Sequence, residues 1–289
     1  MYLSFTVVIP IYEQWHFIPE LLECLSVQTY RAGLVEILLI DNGSTQVCIP
    51  KEIPDNVKIL YCNTRGSYAA RNCGLHYARG EWIFFTDADC LPSENWFEEV
   101  VKKIYSTKLN DFFIAGRVDS ISERKKPTAY EIYDIVKGIP QEHYVRRGYA
   151  ATANLVVPRK LIKKISGFNE RLYSGGDADF CRRARQNNFK IVYAHSALIR
   201  HRTRSSWEEI ATKARRVKGG QLVCKSLKYK IWIFFRTFLS PIITIFRLLK
   251  KNQFTVKYRL LAAWVYLRVW VAELMEMFRV MLGGKPEHR

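Results

Sequence analysis

The sequence has no Cys-x-x-Cys pair: its seven cysteines, at positions 24, 48, 62, 73, 90, 181 and 224, are odd in number and scattered singly. That argues against a disulfide framework and against a structural zinc site, and it fits a reducing compartment. Internal repeats and low-complexity tracts are also missing. The first ten residues lack the basic start and small-residue cleavage site of a signal peptide, so they are read as a first strand. Acidic residues are scarce in one region only. Residues 181–289 carry 24 Lys+Arg against 5 Asp+Glu, whereas residues 1–180 carry 21 against 22, so the whole surplus of +18 lies in the C-terminal part. Such a block points to an anionic partner, either nucleic acid or the acidic face of a membrane. No nucleic-acid motif accompanies the charge, so no nucleic acid is expected. With 289 residues and 48% hydrophobic content, the chain can bury a sizeable core.

The chain is organised around residues 82–92. Trp82-Ile-Phe-Phe85 reads as a short strand buried on both faces, followed by Asp87 and Asp89, with Pro92 ending any continuation. Two carboxylates so close repel, and a divalent cation, a basic partner or a shared proton must offset that. Hard oxygen ligands on a short loop suit Mg²⁺ or Mn²⁺. A polar turn after a buried strand is the plain alternative.

Around this stretch, strands are expected at 5–9, 35–40, 57–61, 112–118, 152–157 and 191–193, and helices at 17–27, 67–78, 93–105, 159–165 and 180–186. A further helix starts at a Ser-x-x-Glu capping box at 205–209 and stops at Gly219-Gly220. Alternating strands and helices imply βαβ crossovers and a mostly parallel sheet, with Asp41 and Asp87 at strand carboxyl ends on one edge. Residues 120–149 show weak periodicity and are read as a mobile loop or an irregular connection. Asp177 and Asp179 precede a helix: one reading is an N-cap and its neighbour, the other a general base. His201 stands either as a metal ligand or as a surface histidine in a basic run.

Five segments in order, Val7-Val-Ile-Pro-Ile-Tyr-Glu13, Leu39-Ile-Asp-Asn-Gly-Ser-Thr45, Gly66-Ser-Tyr-Ala-Ala-Arg-Asn72, Phe85-Thr-Asp-Ala-Asp89 and Gly175-Gly-Asp-Ala-Asp-Phe180, resemble the motif series of family 2 glycosyltransferases over about residues 5–220. The resemblance implies a GT-A fold, a Rossmann-like mixed α/β sheet flanked by helices. It implies a nucleotide-sugar-binding half (1–118) and an acceptor-binding half (119–220), beyond which the shift to basic and aromatic composition marks a helical extension (221–289). It further implies an inverting, metal-dependent transferase that takes a nucleotide-diphosphate sugar donor and a hydroxyl acceptor, a glycan or a lipid-linked saccharide. Pro10, Tyr12, Glu13 and Asp41 match positions that hold base and ribose, and Arg71 a basic position near the donor. Asp87 and Asp89 match the pair that binds ribose and the metal (Mn²⁺ or Mg²⁺), and His201 falls at a further metal position. Asp177 matches the acceptor-activating base, with Asp179 as competitor, because the usual Glu-Asp pair stands here as Gly176-Asp177. A degenerate scaffold that binds a membrane or partner is the alternative this departure supports.

Beyond residue 220, the apolar run at 231–246 is interrupted by Arg236 and Pro241 and is shorter than the roughly 20 residues of a spanning helix. Residues 260–282 form an amphipathic helix, with Leu260, Trp264, Leu267, Val271, Leu274 and Phe278 opposite Lys257, Arg268, Glu273, Glu276 and Arg279. That helix either packs on the catalytic domain or lies on an anionic cytoplasmic membrane face.

Overall fold

The computed structural model describes residues 3–30, 34–222 and 227–287. Cys224 and the first two residues of the N-terminal stretch lie outside the described residues. Strand β1 (Ser4–Ile11) is central, parallel to β2 (Leu34–Asp41) on one side and to β4 (Trp82–Phe85) on the other, and β3 (Val57–Tyr61) extends the parallel set beyond β2. The sheet then turns antiparallel: β7 (Leu155–Pro158) pairs with β4 and with β6 (Phe112–Ile121), and β5 (Cys90–Pro92) pairs with β8 (Lys190–Arg202). The eight strands run β3-β2-β1-β4-β7-β6-β8-β5. This mixed sheet flanked by helices has the expected GT-A architecture.

Both faces of the sheet are covered, which is why its central strands read as continuous apolar runs. On one face Val7, Ile9, Leu39 and Phe84 pack against Leu21 and Leu25 of α1 (Ile18–Ser26) and against Trp96, Phe97 and Val100 of α3 (Trp96–Ser106). On the other, Val8, Leu38, Ile40 and Phe85 meet Ala70 of α2 (Ser67–Tyr77), Leu161 of α6 (Arg159–Ile165) and Phe180 and Ala184 of α7 (Gly176–Gln186). The period of two along β1 sorts these residues to their faces.

Several segments differ from the sequence expectation. Residues 120–149 hold two helices, α4 (Ala129–Lys137) and α5 (Gln141–Arg146). Thr128 starts α4 with a full capping box to Glu131, a short signal that the irregular charge pattern hides. The last strand, expected at 191–193, runs for 13 residues, and Pro92 belongs to a strand of its own. Helix α8 (Trp207–Leu222) continues through Gly219-Gly220, where Cβ atoms would lie 2.8 Å from Pro286 and 3.0 Å from Ser174. These glycines permit close packing and do not end the helix.

The chain forms two compact units: Met1–Asp119, Ile139–Glu170 and Gly176–His201 make the first, and Ser120–Gly138, Arg171–Gly175 and Arg202–Arg289 the second. The second is helical. Ile132 and Val136 of α4, Ile210 and Ala214 of α8, and Ala262, Val265, Tyr266 and Val269 of α10 (Val256–Met281) form its core with Leu248 of α9 (Leu227–Leu249). Helix α9 is continuous for 23 residues despite Pro241, and its stretch Lys228–Leu249 is long and apolar enough to cross a membrane by length and composition.

Helix α10 buries Ala262, Val265, Tyr266 and Val269 in the core of the unit, and part of its charged side goes in with them. Arg268 stacks 4.2 Å from the Trp207 ring and donates to the Tyr130 hydroxyl at 2.6 Å, Glu273 pairs with Lys218 at 3.1 Å, and Glu276 is buried against Arg279. Of the face expected to pack or to touch a membrane, Leu260, Trp264, Leu267, Val271 and Phe278 are exposed, whereas Leu274 is partly buried against the cluster of Leu222, Ile233 and Met277.

Candidate active site

The carboxyl ends of β1, β2 and β4 lie on one edge, with Ile11 in register with Asp41 and Val8 with Phe85. Asp41 ends β2 almost fully buried. Its Oδ2 accepts from Trp15 Nε1 at 2.7 Å, and its Oδ1 from the Gly43 and Ser44 amides at 3.0 and 3.1 Å. Burial pushes this carboxyl up, but the hydrogen bonds from Ser44, Trp15 and Gly43 outweigh it and hold it below its ordinary value. Glu13, in the left-handed region at φ 55°, accepts from the Thr45 amide at 2.7 Å and the Thr45 hydroxyl at 2.8 Å. These bonds hold its carboxyl below the usual range. Both acids therefore shape the loop at residues 42–46, and Pro10 and the exposed Tyr12 ring stand beside them at the end of β1.

Arg71 projects from α2, is buried to 4% exposure, and donates to Asp87 Oδ1 at 2.5 Å, with its guanidinium 5.9 Å from the Tyr68 ring and 6.0 Å from that of Phe168. Asp87 thus has a basic partner. Asp89 differs. Its Oδ1 is buried without a hydrogen-bond partner, 3.5 Å from His201 Nε2. Strand β5 brings them together by setting Cys90 opposite His201 on β8. His201 is buried on the inward side of β8, so the surface-histidine reading does not hold.

Asp87, Asp89, Cys90 and His201 each offer a ligand atom, and these atoms all lie within 4.8 Å of one another. Burial first, then the two carboxylates, push the Cys90 thiol well above its ordinary value, so it stays protonated and is the poorest ligand of the four. Two carboxylates and an imidazole remain, a donor set that suits Mn²⁺ or Mg²⁺. A buried carboxylate oxygen without a donor is costly unless something positive sits beside it, so the residues fit a divalent cation.

Asp177 lies in the first turn of α7. It is not an N-cap whose side chain is spent on its own helix: its Oδ2 accepts from the Thr152 amide at 3.1 Å and the Thr152 hydroxyl at 3.3 Å. Burial raises its pKa, with Arg71 and the Thr152 amide acting in the opposite sense and Asp87 adding to the rise. Asp179, two residues on, is occupied by Arg183 at 2.8 Å and by Arg182. Burial raises its carboxyl, but these guanidiniums outweigh that and hold it low. The two acids, equivalent by sequence, have opposite environments.

Gly176 has a structural cause. A Cβ there would lie 2.5 Å from Cζ of Tyr68, whose hydroxyl accepts from the Gly176 amide at 2.9 Å. The Tyr68 ring stacks on Phe168, 5.8 Å between centroids, and fills the space a side chain at 176 would take. Neither Tyr68 nor Thr152 stands out in the sequence as a site residue. The one usable signal was a bulky aromatic inside the Gly66–Asn72 motif facing a glycine where a larger residue is usual. Gly176→Glu is expected to lower the melting temperature by roughly 2–4 °C per kcal/mol of overpacking, itself about 1–3 kcal/mol. Adding Tyr68→Ala should recover most of the loss, as thermal melts of the single and double variants would show.

Residues 6–202 match the family model described as Glycosyl transferase family 2. The chain belongs to that family. Among curated relatives, the glycosyltransferase AglE of Haloferax volcanii is 32% identical over 226 residues, spanning 75% of this chain and 72% of its own. Among solved structures, S. aureus TarS 1-349 in complex with UDP-GlcNAc matches with a TM-score of 0.54 at 16% identity, covering 97% of this chain and 92% of that one. The mannosyltransferase PcManGT of Pyrobaculum calidifontis, in complex with GDP-Man and Mn²⁺, matches at 0.51 with 14% identity, covering 98% and 76%. The chain is a glycosyltransferase with a GT-A fold, and the clustered acids lie in its family-matched part.

Proposed function

We propose that this glycosyltransferase is an inverting, divalent-cation-dependent enzyme that moves a sugar from a nucleotide-diphosphate donor to a hydroxyl acceptor. The observation that carries the reading is the convergence of Asp87, Asp89, His201, Arg71 and Asp177 in one unit. Asp89 and His201, with Asp87 beside them, would hold the cation, which supplies charge neutralisation for the diphosphate leaving group. Arg71 keeps Asp87 in place and adds positive charge on the same side. Tyr12 and Pro10 offer a surface for the base, with the loop braced by Asp41 and Glu13 forming its rim. Asp177 takes the proton from the acceptor hydroxyl as that oxygen bonds to the anomeric carbon and the nucleotide diphosphate departs from the opposite side. Thr152 orients its carboxylate, and burial tunes it toward a stronger base than an exposed aspartate.

The test is calorimetric titration with a panel of nucleotide diphosphates, with and without Mn²⁺, followed by NMR of the product formed from the donor that binds. Binding of one nucleotide that requires the metal, and a product of inverted anomeric configuration, is the expected result. A retained configuration would overturn the mechanism. The neighbours crystallised with UDP-GlcNAc and with GDP-Man and Mn²⁺ support this donor class.

The second unit supports a cytoplasmic location, peripheral on the inner face of the membrane, and a lipid-linked or cell-envelope acceptor. On α9, Trp232, Phe235, Leu239, Ile242 and Phe246 recur at helical spacing and are each more than half exposed. The exposed apolar residues of α10 add to them, giving more exposed apolar area than soluble monomers ordinarily carry. The surrounding Lys and Arg add attraction to an anionic leaflet of about 1 kcal/mol per nearby basic side chain. The full-length protein is expected to float with anionic vesicles, and Phe235→Glu with Ile242→Glu to lose at least tenfold in partitioning. Equal flotation of both proteins would remove the membrane from this reading.

A further inference from the structure

Asp177 is held by Thr152, and Thr152 stands on a turn that does not hold itself. Thr152–Asn154 form a single 3-10 turn leading into β7, and its closing bond, from the Asn154 amide to the Ala151 carbonyl, is long at 3.4 Å. One turn with one weak internal bond takes its shape from what surrounds it. Its later part is anchored to the sheet: Thr86, the residue before Asp87, donates to the Ala153 carbonyl at 3.1 Å, and Asn154 Oδ1 accepts from Trp96 Nε1 at 3.0 Å. Asn154 Nδ2 donates to the Arg117 and Ala197 carbonyls, both at 2.9 Å. The start of the turn is gripped by Gln141, the first residue of α5, which is 2% exposed. Its Oε1 accepts from the Ala151 amide at 2.8 Å, and its Nε2 donates to the Ala151 and Asn154 carbonyls, both at 3.1 Å.

One of these bonds reaches the reacting groups. The carbonyl of Ala151 and the amide of Thr152 belong to the same peptide unit, which is planar and trans, so the two point in opposite directions. Gln141 Nε2 holds the carbonyl end, and Asp177 Oδ2 accepts from the amide end at 3.1 Å. Fixing one end of the plane aims the other. A donor on the carbonyl also polarises the peptide and strengthens its N–H, as hydrogen bonds in a chain reinforce one another. The Thr152 hydroxyl is a longer contact at 3.3 Å and rotates about its own bond, so the amide is the better-defined guide of the two. Stability alone would be served by any arrangement that satisfied these backbone groups. What marks Gln141 is that the plane it holds ends on the acid.

We propose that Gln141 is a positioning residue for the transfer: through the Ala151–Thr152 peptide it aims the Thr152 amide at Asp177 and so fixes the carboxylate toward the acceptor hydroxyl. This rests on the proposed role of Asp177 as the base. All the groups concerned lie in the first unit. Without the Gln141 amide the plane is free to rotate and the carboxylate loses its fixed direction, and a misplacement of about 1 Å costs on the order of 10²-fold in rate. Donor binding depends on other side chains and is spared.

The test is a double-mutant cycle on the full-length protein, pairing Gln141→Met with Asp177→Asn. Turnover is read as nucleoside diphosphate released from the donor found by titration, with water as the attacking hydroxyl, and donor Kd is read by calorimetry in Mn²⁺. Gln141→Met is expected to lower kcat by roughly 10–100-fold, to leave donor Kd within about twofold, and to lower kcat no further in the Asp177→Asn background. Gln141→Glu still accepts from the Ala151 amide and, protonated in its buried place, donates to one carbonyl, so its turnover should fall between wild type and Gln141→Met. Amide hydrogen exchange over 148–156 should be faster in Gln141→Met than in the wild type. That readout needs no turnover, and unchanged exchange there overturns the grip on the turn. A loss by the same factor in both backgrounds, or wild-type turnover in Gln141→Met, overturns the positioning role and leaves the base standing. Wild-type turnover in Asp177→Asn overturns the base itself and this proposal with it. If Gln141→Met does not fold, Gln141→Glu takes its place in the cycle with the same expected non-additivity.

Discussion

Asp177→Asn is expected to lower kcat by about 10²–10⁴, the range a general base supplies, while leaving metal-dependent nucleotide binding unchanged. The amide is close in shape to the carboxylate and can still accept from Thr152, which holds Asp177 Oδ2 through its amide at 3.1 Å. It cannot take a proton. Asp179→Asn is the matched control. Because Asp179 is spent on Arg182 and Arg183, its loss should reduce stability and spare most of the turnover. A reversal of the two phenotypes would move the base to Asp179. The pH profile adds a second readout. Burial raises the Asp177 pKa, so at a given acid pH more of it is protonated and unable to accept a proton. The acid limb of kcat/KM should therefore lie above the value near 3.9 of an ordinary aspartate and vanish in Asp177→Asn.

Asp89→Ala separates stability from activity. Turnover and Mn²⁺-dependent donor affinity should each fall by about 10²–10³, the scale seen when a preorganised charge is removed from a transition state. The metal-free protein should not lose stability, because the Asp89 Oδ1 atom is buried without a hydrogen-bond donor and its removal relieves a desolvated charge. Wild-type protein in saturating Mn²⁺ should gain about 2.7 kcal/mol at a hundredfold excess over Kd, and the variant should gain nothing. Melting curves with and without Mn²⁺, read beside donor titrations, test both halves. A variant that still melts higher in Mn²⁺ would place the cation elsewhere, and a His201→Ala variant that behaves like wild type would remove the imidazole from the ligand set.

The departure at Gly176, the single support for a degenerate scaffold, is explained by the Tyr68 ring and its hydrogen bond to the Gly176 amide. The glycosyltransferase reading therefore keeps its acid at 177 with the neighbouring space filled from α2.

The local pattern of the chain determined much of this protein. The apolar runs of β1 and before Asp87 and the helical spacing after Phe17 depend only on neighbouring residues, and the apolar runs that precede them placed Asp41, Asp87 and Asp89 after strand ends. What depended on distant partners was not legible. That His201 is buried beside Asp89 and not on the surface turned on Cys90 pairing with it across the β5–β8 ladder, a contact 111 positions apart that no window of sequence contains. Asp177 and Asp179 share one motif, and only the approach of Thr152 to one and of two arginines to the other made them chemically different. Helix α10 shows the same division. Its amphipathic pattern was plain, but a helical wheel ranks faces by polarity alone. The tertiary structure placed Arg268 and Glu273 inward beside Ala262, Val265, Tyr266 and Val269, because Trp207, Tyr130 and Lys218 satisfy them there, and left Leu260, Trp264, Leu267, Val271 and Phe278 outward.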